Sequence, residues 1–462
     1  MKDHLTLNRI LLAAALLIAA AGDRAAETNR VANAPQWLTK PLSLPECIDL
    51  ALKQNSTILK GKSDLEAAYG VVVQTRAIAI PKLRATGNYQ FNNAIENLQL
   101  PPPAPLVTFQ QDQSWSAGIR LVQSIYEGGR IRASLKSARL TKEQAIYGYH
   151  AVIADTLTEV RVAYYDILMA AEQIVVEEAS VKLLTQELGD TTRRFEAGTV
   201  PRFNVLRAEV ELANARPRLI RAKNDYRIAK NNLANLLGYN LPKEVWEDIP
   251  LQLADKLDAG PYEIQLPDAI GQAMEKRPEL AALRRAELTR KQGITSARSM
   301  YQPSVQAFGG YGWRSSQFSD DPGRDVSGWN AGLQLSWDIF DGLLTRGKVD
   351  EAKALDKKAE YDVEDASRRI ELEVRSAYSN FIEAKEVLES QKKVVEQAEE
   401  ALRLANARAD AGTGTQLDVL SAQTALTEAR STQVQALHDY AVARARLERA
   451  IGNSAPQSIA EK

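Results

Sequence analysis

Few residue types in this sequence are equipped for chemistry. Three histidines (His4, His150, His438) and one cysteine, Cys47, leave no disulfide framework, no cysteine-rich metal site and little acid–base apparatus. Gly412-Thr413-Gly414 lacks the lysine of a phosphate-binding loop and lies between helical stretches, not after a strand. Gly309-Gly310-Tyr311-Gly312 lies inside an alternating segment, and no nucleophile–base pattern appears. The expectation is a protein that is not an enzyme and uses no cofactor or metal. What remains is one carboxylate, Asp418, in the stretch 409–423, ADAGTGTQLDVLSAQ. It follows Thr415 by three residues, the spacing of a capping box, and a carboxylate in a first helical turn meets the positive end of the helix dipole. A related stretch at 195–209, FEAGTVPRFNVLRAE, has Asn204 in its place.

The elements that hold this carboxylate begin with an export signal. Lys2 and Arg9 precede an apolar run, Ile10 to Ala21, followed by small residues and then charges. This predicts a signal peptide over 1–26, cleaved after Ala21 or Ala26, and too short to span a membrane as a helix. No later stretch is apolar enough for a transmembrane helix. Charged residues make up 25% of the 462 and the net charge is −1, so nothing favours nucleic acid as a partner. Cys47 is not placed for lipidation and is expected to pack within a helix.

The Gly-Thr turn belongs to a long internal repeat. At an offset of 214, Glu159-Val160-Arg161 matches Glu373-Val374-Arg375, Tyr226 matches Tyr440 and Gly238 matches Gly452. Upstream the offset becomes 222, with Leu44 matching Leu266 and Tyr89 matching Tyr311. The change falls near Pro101-Pro102-Pro103, a loop insertion. Two halves follow, 43–240 and 264–452, joined by a polar linker over 241–263 and trailed by a tail over 453–462.

Each half predicts a helix, two short alternating segments, a very long helix, the Gly-Thr turn and a returning helix. In the long helices apolar residues recur at alternating intervals of four and three, from Ile370 to Ala409 and from Thr156 to Phe195. That is a coiled-coil seam. Its polar interruptions, Glu177 and Gln391, fall at the same step and suit register control. Gly128 to Ala197 as one helix would reach roughly 105 Å. Pro217, inside a returning helix, predicts a kink.

The alternating segments, about 82–92, 113–126, 303–314 and 328–340, read as strands with one apolar and one polar face. Tyr89, Trp115, Tyr311, Trp313, Trp329 and Trp337 fit an aromatic girdle at a membrane surface. Four strands cannot close a barrel in lipid, so several chains must share one: two would give eight strands, three twelve, four sixteen. All helices then hang on one side, the periplasm. A secreted coiled-coil scaffold with soluble hairpins is the competing reading.

The duplication, the strand–loop–strand insert in each half, and the turns Arg194-Phe-Glu-Ala-Gly198 and Arg408-Ala-Asp-Ala-Gly412 resemble the TolC-like outer membrane efflux family. So do the Asn/Asp-Val-Leu triplets after each turn and the openings LSLPECIDLALKQN (42–55) and IQLPDAIGQAMEKRPEL (264–280). The resemblance spans Leu42 to Gly452. It implies a mostly helical fold with a membrane β part: a homotrimer with a twelve-stranded outer membrane barrel and a periplasmic helical tunnel. It implies a passive export duct met at its tip by a periplasmic adaptor protein, linked to an inner-membrane pump of RND or ABC type. Asp418 takes the place of an acid ring that narrows the tip, a role that stands beside capping. Ser421 stands where the family often has a second acid. Arg194, Gly198, Arg408 and Gly412 fall on the surface an adaptor would meet. Helix termination alone would also account for the glycines, and the helix dipole for the arginines.

Overall fold

A computed structural model describes residues 40–91, 97–98, 107–108, 113–239, 249–315 and 325–453. The expected signal peptide, most of loop 93–112, the tip of loop 315–327 and nearly all of the C-terminal tail lie outside these residues. The chain enters through α1 (Leu44–Gln54), which opens on a capping box in which Glu46 accepts from the Ser43 backbone at 2.8 Å. Asn55 ends that helix and caps α2 (Ser56–Arg76), its Oδ1 accepting from Thr57 and Ile58. Then come β1 (Lys82–Phe91), the two-residue strands β2 (Asn97–Leu98) and β3 (Val107–Thr108), β4 (Gln113–Glu127), α3 (Arg130–Glu196) and α4 (Arg202–Leu236). The second half supplies α5 (Leu266–Lys276), α6 (Pro278–Arg298), β5 (Ser304–Ser315), β6 (Asp325–Ser336), α7 (Leu344–Asp410) and α8 (Gln416–Ile451).

The long helices α3 and α7 each run 67 residues without a break. The heptad seam explains their side: α3 buries Thr156, Val160, Ala163, Ile167 and Ala170, and α7 buries Ile370, Val374, Phe381, Leu388 and Val395. Glu177 is buried in the seam, with Gln173 donating to its Oε1 at 3.3 Å. Pro217 lies inside α4, which stays helical from Arg202 to Leu236.

These parts form a strip four elements wide. The large sheet runs β1-β4-β5-β6, all antiparallel. Next to it the helices pack in the order α2, α3, α6, α7, and toward the Gly-Thr turns in the order α4, α3, α8, α7. The two largest apolar cores sit at mid-length, beside a smaller one of Ile58, Ile153 and Leu157. One gathers Cys47, Val160, Tyr164, Ile167, Leu233 and Leu251; the other Val374, Phe381, Leu388, Tyr440 and Leu447. Cys47 packs in a helix, and burial pushes its thiol up to about 12.

Two expectations need correction. The joining segment is not simply a polar linker. Ile249 and Leu251 enter the first core, and Leu253 bridges to Leu42 as a parallel pair. Asp255 accepts from the Tyr164 hydroxyl at 2.7 Å and the Leu44 amide at 3.1 Å. The apolar residues between its prolines give it a surface to bury. The last strand also sits earlier than 328–340: β6 ends at Ser336. Beyond it the chain must turn into α7, through Gly342 and Leu343 at positive φ, with Asp341 accepting from the Thr345 amide at 2.8 Å. Trp337 therefore lies past the strand, its indole N–H donating to the Tyr301 carbonyl at 3.1 Å.

Phe381 is 2% exposed and meets Tyr262 edge-on at 5.7 Å and Tyr440 at 5.4 Å. Phe381→Ala should destabilise the second core by about 3–5 kcal/mol, and Phe381→Leu by less than half of that. Urea midpoints of the two variants against wild type check this.

Candidate functional site: the helical tips and the strand face

The two Gly-Thr turns close the ends of the helical hairpins farthest from the sheet. At the first, the Arg194 carbonyl accepts from the Thr199 amide at 2.9 Å and its hydroxyl at 2.7 Å. At the second, the Arg408 carbonyl accepts from the amides of Thr413 and Gly414, both at 2.9 Å. This six-to-one closure needs a left-handed residue after the helix, and Gly198 and Gly412 supply it at φ 74° and 72°. Arg194 and Arg408 sit in the last helical turns with exposed side chains, where the carbonyl ends favour a cation.

The turns then diverge. At the second, Thr415 and Asp418 complete the capping box. Asp418 Oδ2 accepts from the Thr415 amide at 2.9 Å and hydroxyl at 2.7 Å, and the Asp418 amide donates back to the Thr415 hydroxyl at 3.2 Å. These bonds, the backbone one first, hold the exposed Asp418 carboxyl below the usual carboxylate range, with Arg408 adding to the effect. At the first turn the capping position is Pro201, which has no N–H to offer and no side-chain cap. A carboxylate at Asn204 would have no such donor. Capping chemistry therefore accounts for the Asp/Asn difference, and Asp418 keeps its other oxygen free for solvent.

The structure also joins the two tips, which the repeat pattern did not anticipate. Arg194 reaches Asp410 at 3.8 Å, and Gln416 donates to Glu187 at 2.9 Å and contacts Thr191. These contacts end a polar seam between α3 and α8. Asp166, Gln173, Ser180, Glu187 and Arg194 stand at seven-residue intervals along α3. They meet His438 at 2.7 Å, Ser431 at 2.8 Å, Thr427 at 3.4 Å, Gln416 and Asp410. Toward the core the seam continues as Arg161–Glu448 at 2.8 Å and Arg449–Asp155 at 2.6 Å. The signal was the spacing of polar residues at one heptad position, overlooked because the apolar seam sets the obvious period. Within each repeat the hairpin is zipped by apolar residues; between repeats it is zipped by polar ones.

At the other end, strand pairing sorts side chains onto two faces. Leu83, Ala85, Gly87 and Tyr89 of β1 pair with Leu121, Ile119, Ala117 and Trp115 of β4. The same rows continue through Tyr311 and Trp313 of β5 to Trp329, Ala331, Leu333 and Leu335 of β6. Trp329 is 79% exposed and Leu333 72%. Tyr89, Trp115, Tyr311, Trp313 and Trp329 cluster toward the loop end, away from the helices, whereas Trp337 lies at the helix end. The opposite face carries Arg84, Thr86, Asn88, Ser116, Gln306, Asn330 and Gln334.

A sheet with one largely apolar face, carried on a rod of paired helices, defines a subunit of an outer membrane channel. Residues 47–239 and 269–453 match the sequence profile of the outer membrane efflux protein family, and the chain belongs to that family. It is 26% identical over 427 residues to the outer membrane protein TolC of Vibrio cholerae serotype O1, covering 90% of this chain and 92% of that one. The alkaline protease secretion protein AprF of Pseudomonas aeruginosa is 24% identical over 413 residues, covering 88% and 83%. The solved structure of the outer membrane protein VceC of Vibrio cholerae superposes with a TM-score of 0.72 at 20% identity, covering 88% and 96%. The protein is thus an outer membrane efflux channel with its helical part in the periplasm, and the scaffold reading falls.

A Cβ at Gly412 has open space around it but demands the left-handed backbone. At Gly414 it would come 2.9 Å from Arg408 Cβ and 3.0 Å from the Ala409 amide nitrogen. Gly412→Ala should cost about 1–2 kcal/mol, and Gly414→Ala should shift the turn itself, speeding amide exchange at Thr413 and Gly414. The charged His438 ring donates from Nε2 to Asp166 at 2.7 Å and from Nδ1 to Asp439 at 3.0 Å. Burial opposes the charged ring, but the two carboxylates outweigh it and raise its pKa. A raised pKa gives stability that is complete below the unfolded value of His and is lost as pH rises through the folded value. Amide exchange along α8 near residue 438 should quicken through that window, and His438→Gln should abolish the pH dependence.

Proposed function

We propose that three copies of this chain close into one duct, with a twelve-stranded barrel in the outer membrane and a ring of helices below it. What supports this most directly is that the strip has two open edges along its whole length. Among the described residues β1 and β6 each pair on one side only, and in the lower layer α4 and α7 each lie at the outside. Those flanks expose Phe203, Leu206, Val210 and Ile220 on α4, and Leu372, Val387 and Leu404 on α7. An edge of one kind facing an edge of another makes a head-to-tail contact, which a rotation closes into a ring. The relatives and solved structures are of matching length and fold.

Through this duct the protein passively exports what a periplasmic adaptor and an inner-membrane pump deliver. The adaptor docks at the tips, over Arg194, Gly198, Arg408 and Gly412. Three Asp418 carboxylates, each anchored by Thr415 through one oxygen, stand around the entrance and favour cations there. The girdle of Tyr89, Trp115, Tyr311, Trp313 and Trp329 sits at the outer lipid surface.

Native mass spectrometry of the detergent-extracted protein should give a trimer; a monomer would sink the proposal. In planar bilayers Asp418→Asn should lower the preference for cations. Unchanged selectivity would leave Asp418 a helix cap alone.

A further inference from the structure

The polar face of the sheet has a charge pattern that export by itself does not require. In the register of β1 and β4, Arg84 stands directly opposite Arg120, and the row continues through Gly310 to Asn330. Lys82 leads the next row toward the helices, with Val122, Phe308 and Gly332. These three cations share the face away from the apolar rows, with Arg314 on the same face farther toward the loop end. Like charges directly opposite on one face of a sheet are destabilising, so fold stability gives no reason for the pair.

Among the described residues no acid compensates them. Among the described strand residues the one acid in register on this face is Glu127, at the helix junction, and it is engaged by Arg130 at 2.5 Å. Asp338 comes after β6 has ended. None of Lys82, Arg84 and Arg120 has an ion-pair partner among the described residues. Arg120 is instead propped on the face of Phe308, its guanidinium carbon 4.9 Å from the ring centre. The Phe308 ring lies over Gly332, where a Cβ would come within 2.9 Å of it. Glycine on β6 thus makes room for the ring that carries the arginine. This is a supported side chain, held out over the polar face with its N–H groups unspent.

We propose that the part of the barrel lumen nearest the helices is a binding collar for anionic solutes in transit, formed by Lys82, Arg84 and Arg120 of each copy. The proposal rests on the closure of three chains into one barrel. In that ring the apolar face meets lipid, the polar face lines the lumen, and six arginines stand at one height with three lysines beside them. Rings of Arg and Lys select anions in a pore, and the low-dielectric wall of lipid focuses their field. Guanidinium groups suit phosphate, sulfate and carboxylate oxygens through paired N–H donors. The acidic tip and the basic collar then act in series. The tip sets what enters from the periplasm; the collar holds anionic groups briefly before release.

Tripolyphosphate, added on the barrel side of a planar bilayer holding the full-length channel, tests this. It should block the wild-type current, and Arg84→Gln/Arg120→Gln should need roughly tenfold more for half-block, with block weakening as salt rises. Arg84→Lys/Arg120→Lys, which keeps the charge, should stay near wild type. Equal block of wild type and the Gln variant overturns the collar, as does block that Asp418→Asn abolishes and the Gln variant keeps. Absence of any trimer or any conductance in the wild type overturns the duct itself, and the collar with it.

Discussion

An unpaired strand edge cannot face hydrocarbon. Each free N–H or C=O there costs several kcal/mol, so a four-stranded sheet in a membrane is an unfinished object. The chain carries that incompleteness down its whole length. The sheet is four strands wide, and each helical layer is four helices wide. Because the strip has the same width throughout, one rotation closes barrel and tunnel together. The duplication that sets the strip's width supplies half of it from each repeat.

Helices this long have their own requirement. A rod of 67 residues has no compact domain to bury it, so it must bury one seam along its length. The apolar heptads do this within each repeat, with Val160 and Val374 fully buried at equivalent steps. Between repeats the contact is of another kind. Asp166 to Arg194 form a ladder of charge pairs and hydrogen bonds with α8 and the end of α7. Polar contacts of this sort exchange readily with water and contribute less than apolar burial. The repeats are therefore firm within themselves and more yielding against each other, most of all at the tips, where the exposed Arg194 and Asp410 meet at 3.8 Å.

The same physics separates the chemistry of the two ends. Asp418 is bound into a capping box, with one oxygen taken by the backbone it terminates and one left to water. Its identity follows from Thr415, which has an N–H to offer, where the first turn has Pro201. At the sheet end, Lys82, Arg84 and Arg120 have no such local duty. A residue that caps a helix has two reasons to be where it is; a cation propped on an aromatic ring over an aqueous face has one.

Much of this architecture was legible before any coordinates. Period four-three spacing fixes the rods, period two fixes the strands and their two faces, and a 214-residue offset fixes the duplication, because each depends only on which side of a local element is apolar. Pro217 leaves α4 helical from Arg202 to Leu236, since loss of one backbone hydrogen bond does not end a helix held along its length by α3. The strap at 249–255 looks like a polar linker in sequence, since its burial depends on Tyr164 and Leu42, which are remote in the chain. The alternating pattern runs to 340, four residues past the last paired residue of β6, Ser336, because alternation continues into the turn. The sequence by itself determined the elements, their faces and the position of the turns. Only the tertiary structure decided which repeat edge meets which, that Arg84 lies opposite Arg120, and that the two tips touch, because those are pairings between distant segments whose register no local period specifies.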